Sequence, residues 1–150
     1  MSTAIHQMWV YNDWANRRLL DALIATGQDL PYTCLHLISH IVNTQVVWLS
    51  RMQGLPVQVG PWDDHGILEC KALHERSSAG LRSWLETNVE GFTYNIAYTN
   101  TSGVSYQNNL QDILLHTFNH ATYHRAQIAM ELRRNGFEPP VTDYIHFMRD

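Results

Sequence analysis

The sequence predicts an all-α protein, a four-helix bundle with a small β-hairpin before the fourth long helix and a short C-terminal helix. Two observations predict it. Four stretches of about twenty residues repeat apolar side chains at three- and four-residue steps, and strict alternation appears only in one short segment after Gly91. The length of 150 residues suits a single domain spanning 1–150, large enough to bury a core without disulfide or metal staples.

The first helix is expected over Ile5–Ala25, where Met8, Tyr11, Trp14, Ala15, Leu19, Ala22 and Leu23 share a stripe that Gly27 ends. The second, from Tyr32 to Met52, is apolar around most of its circumference, as suits an element covered on several sides. Gly54, Pro56, Gly60 and Pro61 form a connecting loop, with Asp63 or Asp64 as the cap of a third helix running to Asn88. Leu68, Ala72, Leu73, Leu81, Trp84 and Leu85 make its apolar stripe. Phe92, Tyr94, Ile96 and Tyr98 then alternate with smaller or polar residues as a strand does. Asn100 to Gly103 supply turn chemistry, and Val104–Gln107 return as a second strand. A lone hairpin is marginal in water, so this one should lean on the helices. The fourth helix spans Leu110–Asn135 and stops at Gly136, and Thr142 is placed to cap a last helix to Met148.

Composition excludes several function classes. A formal charge of −4 and a single lysine, Lys71, leave no basic stripe for nucleic acid. No run is long and apolar enough to cross a membrane, and the N-terminus lacks the pattern of a secretory signal. Cys34 and Cys70, without CxxC spacing, read as reduced thiols of a cytoplasmic protein. There is no Gly-rich phosphate loop and no G-x-S-x-G elbow. Trp9, Trp14, Trp48 and Trp84 fit core or interface anchors, and Arg17-Arg18 and Arg133-Arg134 fit solvated helix faces.

Histidine is the exception, with nine residues in a chain only 16% charged. His116, His120 and His124 recur every four residues. At about 100° per residue they fall within an arc of about 80° on one helix face. The apolar stripe of Leu110, Ile113, Leu114, Thr117, Ala121, Ile128 and Leu132 contains His124, borders His120 and leaves His116 farther out. Two imidazoles one turn apart can hold a metal, as the histidines of HExxH do. Ala121 follows His120, so that motif's general-base glutamate is missing and zinc-protease chemistry of that kind is excluded. A third imidazole must come from a facing helix, where His36 and His40 both flank the apolar arc and geometry alone does not choose. A single histidine on an apolar helix is ordinarily a hydrogen-bonded core residue. His6, His65, His74 and His146 are expected as partly exposed surface residues.

The stretches YNDWANRRLLDAL (11–23), HLISHIVNTQVVWLSRM (36–52), DILLHTFNHATYHRAQIAMELRRNG (112–136) and EPPVTDYIHFMRD (138–150) resemble the DinB family. NHATYHRAQ is the most specific of these segments. The resemblance implies a DinB-like bundle holding a divalent ion with three histidines: His40, eight residues before Trp48, and the pair His120 and His124. Two positions depart from the family pattern: Ala126 stands where many relatives have glycine, and Gln45 where relatives often carry a carboxylate. Some relatives are S-transferases or isomerases that use a bacterial low-molecular-weight thiol, and relatives are often homodimers.

Nickel or zinc is therefore the expected metal, because neutral imidazoles accept several first-row ions. The expected partners are a small-molecule substrate, with a low-molecular-weight thiol as candidate, and a second copy of the chain, with neither nucleic acid nor membrane. Metal-assisted thiol transfer is the leading function. Metal-assisted hydrolysis and a non-catalytic metal-binding bundle in stress response are the alternatives. His36 and His116 are expected outside the ligand set, at most orienting ligands or flanking the pocket mouth.

Overall fold

A computed structural model describes residues 3–87 and 95–150. Its order is α1 (Thr3–Ala25), a 3-10 turn (Gly27–Asp29), α2 (Tyr32–Gln53), α3 (Ile67–Thr87), β1 (Asn95–Thr99), β2 (Ser105–Asn109), α4 (Leu110–Arg134) and α5 (Tyr144–Arg149). The four long helices pack together, with α2 against both α3 and α4. Gly54, at φ 69°, closes α2 in the left-handed conformation that glycine adopts without strain. The Leu55 N–H reaches back to the Ser50 carbonyl at 2.9 Å.

The expected stripe of α4 is buried throughout, from Leu110 to Leu132, with His124 inside it. α2 is buried without interruption from Ile38 to Gln45. Five of those eight positions are polar, so this helix does not simply fill an apolar core. The hairpin pairs antiparallel with Tyr98 opposite Tyr106. It leans on the helices through Ile96, which packs with Leu81, Leu85 and Leu114, and through Tyr98, whose ring meets Trp48 edge-on at 4.9 Å. The turn is held by the Asn100 side chain, which accepts from Ser102 and Val104 N–H groups. Asn109 then caps α4 by accepting from the Gln111 N–H.

Several boundaries differ from expectation. α3 begins at Ile67 because both candidate caps are engaged elsewhere. Asp63 accepts from the Gly60 N–H, and Asp64 accepts from Tyr32 and His36 on α2. Leu68, expected in the stripe, is 69% exposed. At the C-terminus Asp143, not Thr142, occupies the capping position, and the Thr142 carbonyl instead accepts from the Tyr11 hydroxyl. Strand two is shifted to Ser105–Asn109. Asn88, Phe92 and Tyr94 lie outside the described residues.

The core falls into two apolar clusters. One gathers Leu19, Leu23, Ile38, Ile41, Leu73 and Ile128; the other gathers Trp9, Met52, Leu81, Leu110, Leu114 and Phe118. Between them along α1, α2 and α3 lies a buried polar layer of Asn12, Asn16, Gln45, His74, Ser77 and Ser78, which Arg125 of α4 joins through Asn12 and Asn16. Gln45 is its hub. Its Oε1 accepts from Asn12 and Asn16, and its amide nitrogen donates to Ser77 and His74. His74 is therefore not a surface residue, as expected, but fully buried, with Nε2 donating to Asp13 at 2.9 Å. Burial opposes the charge of Asp13. Hydrogen bonds from His74, Ser78 and Arg17 outweigh that effect and hold its pKa well below the usual carboxylate range.

Candidate metal centre

Three imidazoles meet where α2 faces α4. His40 comes from the buried centre of α2, and His120 and His124 come from successive turns of α4. Ring centroids are 4.7 Å apart for His40–His120 and His40–His124, and 4.5 Å for His120–His124, all edge-on. One nitrogen from each ring lies within 4.8 Å of the other two. A tetrahedral ion with bonds near 2.1 Å sets about 3.4 Å between neighbouring ligand nitrogens, so small side-chain shifts suffice.

The rings are aimed by contacts outside the cluster. His40 Nδ1 donates to the Pro61 carbonyl at 2.7 Å, leaving the Nε2 lone pair turned inward. His124 Nδ1 donates to Gln127 Oε1 at 2.7 Å, with the same consequence. His120 Nε2 faces His40 Nε2 at 2.9 Å, while its buried Nδ1 has no hydrogen-bond partner among the described residues. Burial, together with neighbouring His124, His40 and His116, pushes the His120 imidazole down to about 3. Burial also lowers the His40 pKa, against the pull of the Pro61 hydrogen bond. Both rings are thus neutral near pH 7, the form that binds metal. The donor set fits a divalent ion: three converging imidazoles, with His40 and His124 locked with the free nitrogen inward.

Trp62 covers one side of this group. Its ring lies flat on His40, with centroids 3.5 Å apart and planes 4° from parallel, and it also meets the His36 ring at 5.2 Å and the His124 ring edge-on at 6.2 Å. The stack continues to Tyr32. His36 Nδ1 is bonded to Asp64 at 2.7 Å, so the structure brings His40 and not His36 to the pair on α4. His116 stays out of the group as well. Its ring packs against Trp48 at 5.7 Å and helps to line a cavity of about 350 Å³ with Trp48, Tyr98, Asn108, Asp112 and Ile113. Arg51 lies over the Trp48 and Tyr98 rings at 4.5 and 4.7 Å.

The sequence reading missed Pro61, Trp62 and Gln127. Only Gln127 carried a signal, since its position three residues after His124 places the two side chains on one helix face. Gln45 is not beside the histidines but in the polar layer. Cys34 and Cys70 are free and buried. Burial pushes the Cys34 thiol up to about 11 and raises Cys70 as well, so neither is a nucleophile at neutral pH. His6 and His65 are half-buried and His146 is exposed, as expected of surface residues. Among the described residues no helix is long and apolar enough to cross a membrane.

Comparison with known proteins agrees with this architecture. The chain is similar to Protein DinB of Bacillus subtilis (strain 168), with 24% identity over 161 residues that cover 96% of this chain and 93% of the relative. Residues 1–150 match the DinB family along their whole length, and the chain belongs to that family.

Proposed function

We propose that the protein is a divalent-metal-dependent thiol S-transferase in which His40, His120 and His124 hold nickel or zinc. The observation that carries this reading is the convergence of three imidazoles with no carboxylate in the group, one of them, His120, 5.6 Å from the His116 ring that lines a cavity. A bound ion would lower the pKa of a coordinated thiol by several units and hold it as a nucleophile. The chain's own residues do the rest. Pro61 and Gln127 hold two rings in the ligating tautomer, and Trp62 shields His40 from water. Trp48 and Tyr98 wall the cavity that would take the electrophile. The protein's own thiols are buried and protonated, so the reacting thiol comes from solution as a low-molecular-weight co-substrate. That thiol gives its proton to water, its sulfur bonds to the electrophilic carbon, and the leaving group departs with the pair of the bond that breaks. We place the protein in the cytoplasm as a homodimer, a state that sedimentation equilibrium reads directly.

Metal-assisted hydrolysis is the second reading, favoured by Asp112, a carboxylate on the cavity wall beside His116. The test is to mix protein loaded with nickel or zinc with cysteine or glutathione and a chromogenic electrophile. Metal-dependent turnover that requires thiol supports transfer. Turnover without thiol overturns it in favour of hydrolysis, and no turnover in either arm leaves a non-catalytic metal-binding bundle.

A further inference from the structure

Arg125 follows His124 in sequence but points away from the metal centre. It is 3% exposed, and its guanidinium donates to Asn16 Oδ1 at 2.8 Å, Asn12 Oδ1 at 3.3 Å and Thr122 Oγ1 at 2.9 Å. It also lies 5.3 Å from the centre of the Tyr11 ring. Every hydrogen-bond acceptor here is neutral. Among the described residues no carboxylate lies within 4.0 Å of it, although a charge so thoroughly removed from water ordinarily has an ionic partner. Burial works against its charge, as the lowered pKa shows.

The same residue forms part of the wall of a cavity of about 360 Å³ between α1, α4 and the segment leading into α5. Arg133, Asp143, Tyr11, Ala129 and Val141 also line this cavity. On α4 its residues Ala126 and Ala129 lie roughly 180–240° of rotation from His120, so it opens on the opposite side of the helix from the histidines. Among the described residues Arg133 likewise has no carboxylate within 4.0 Å, whereas the neighbouring Arg134 pairs with Glu131. Two guanidinium groups against the one carboxylate of Asp143 leave a single excess positive charge, which matches a monoanion better than a dianion. Ala126, Ala129, Pro140 and Val141 give the remaining wall an apolar side.

We propose that this cavity is a second binding site, for a small organic monocarboxylate whose carboxylate sits between Arg125 and Arg133 with its apolar tail toward Ala129 and Val141. Planar guanidinium groups suit a carboxylate by forming paired hydrogen bonds. The volume is at the small end of ligand pockets, enough for a short aliphatic or single-ring acid. The site does not depend on the metal reading.

The test is a titration of the ¹⁵N-labelled full-length protein with sodium butyrate, butyramide and inorganic phosphate at constant ionic strength, followed by amide chemical shifts. Butyrate should give saturable shifts in residues 122–133 and 140–143, with a Kd on the order of 1–10 mM. Butyramide and phosphate should each bind at least about fivefold more weakly. Arg125 is buried and its replacement can unfold the chain, so the decisive variants are Arg133→Glu and Asp143→Asn on the surface. Arg133→Glu should weaken butyrate about tenfold or more with an unchanged far-UV CD spectrum, and Asp143→Asn should tighten it. Shifts that do not saturate, butyramide or phosphate binding as tightly as butyrate, or an Arg133→Glu variant with undiminished affinity would each overturn the proposal.

Discussion

Replacing Gln45 with leucine tests whether the buried polar layer is a working part of the bundle. The side chain is 1% exposed and makes four hydrogen bonds, to Asn12, Asn16, His74 and Ser77. Leucine matches its size roughly but serves none of them. Ser77 keeps a bond to the Leu73 carbonyl at 2.7 Å, so its loss is small. The Asn12 and Asn16 amides and the Nδ1 acceptor of His74 are left buried without that partner, each at about 1–2 kcal/mol. Because these groups share one network their losses do not add fully, and the total should be about 3–5 kcal/mol. For a domain of this size that lowers Tm by roughly 6–20 °C. Gln45→Glu keeps the acceptor for both asparagines and adds a negative charge one link from Arg125, so it should cost clearly less than leucine. Urea denaturation followed by circular dichroism measures both variants. A leucine variant within about 1 kcal/mol of the parent would refute the network reasoning.

Three further outcomes follow from the same contacts. His124→Ala should abolish metal binding, whereas His116→Ala should weaken it by no more than about 10–100-fold, as competition with a chelating dye would read. If both variants lose metal equally, the ligand set on α4 is misplaced by one turn. Asp13→Asn should destabilise the protein at pH 7, and its difference from the parent should shrink as acid is added. The folded-state pKa of Asp13 lies below the unfolded value near 4, so its stabilisation is complete above that value and is lost only as pH falls below it; a difference that grows in acid would contradict this. Trp62→Phe should remove most of the tryptophan quenching caused by nickel, because Trp62 is the indole stacked on His40; unchanged quenching would show that another tryptophan reports the site.

The helices that carry the site were legible because their burial follows the 3.6-residue period. Every member of the expected α4 stripe is buried, and the outward place of His116 follows from the same count. The start of α3 was not legible. An aspartate ahead of an apolar run looks the same whether it caps a helix or bonds Tyr32 and His36 on another, as Asp64 does. His74 was misread because sequence periodicity counts apolar residues, and a polar layer at helical spacing looks like an exposed face until its partners on α1 and α2 are known. Helix geometry left His36 and His40 equivalent. What separates them is a loop carbonyl, Pro61, and a loop ring, Trp62, neither of which belongs to a repeating pattern.

The most direct test of the central claim is metal analysis of protein purified without a histidine tag, stripped and refilled with nickel or zinc. The account predicts about one equivalent per chain for the parent and almost none for His120→Ala, since two remaining imidazoles no longer form a three-ligand site. Less than about 0.2 equivalents in the refilled parent, or the same metal content in His120→Ala, would contradict the assignment of His40, His120 and His124 as a metal centre.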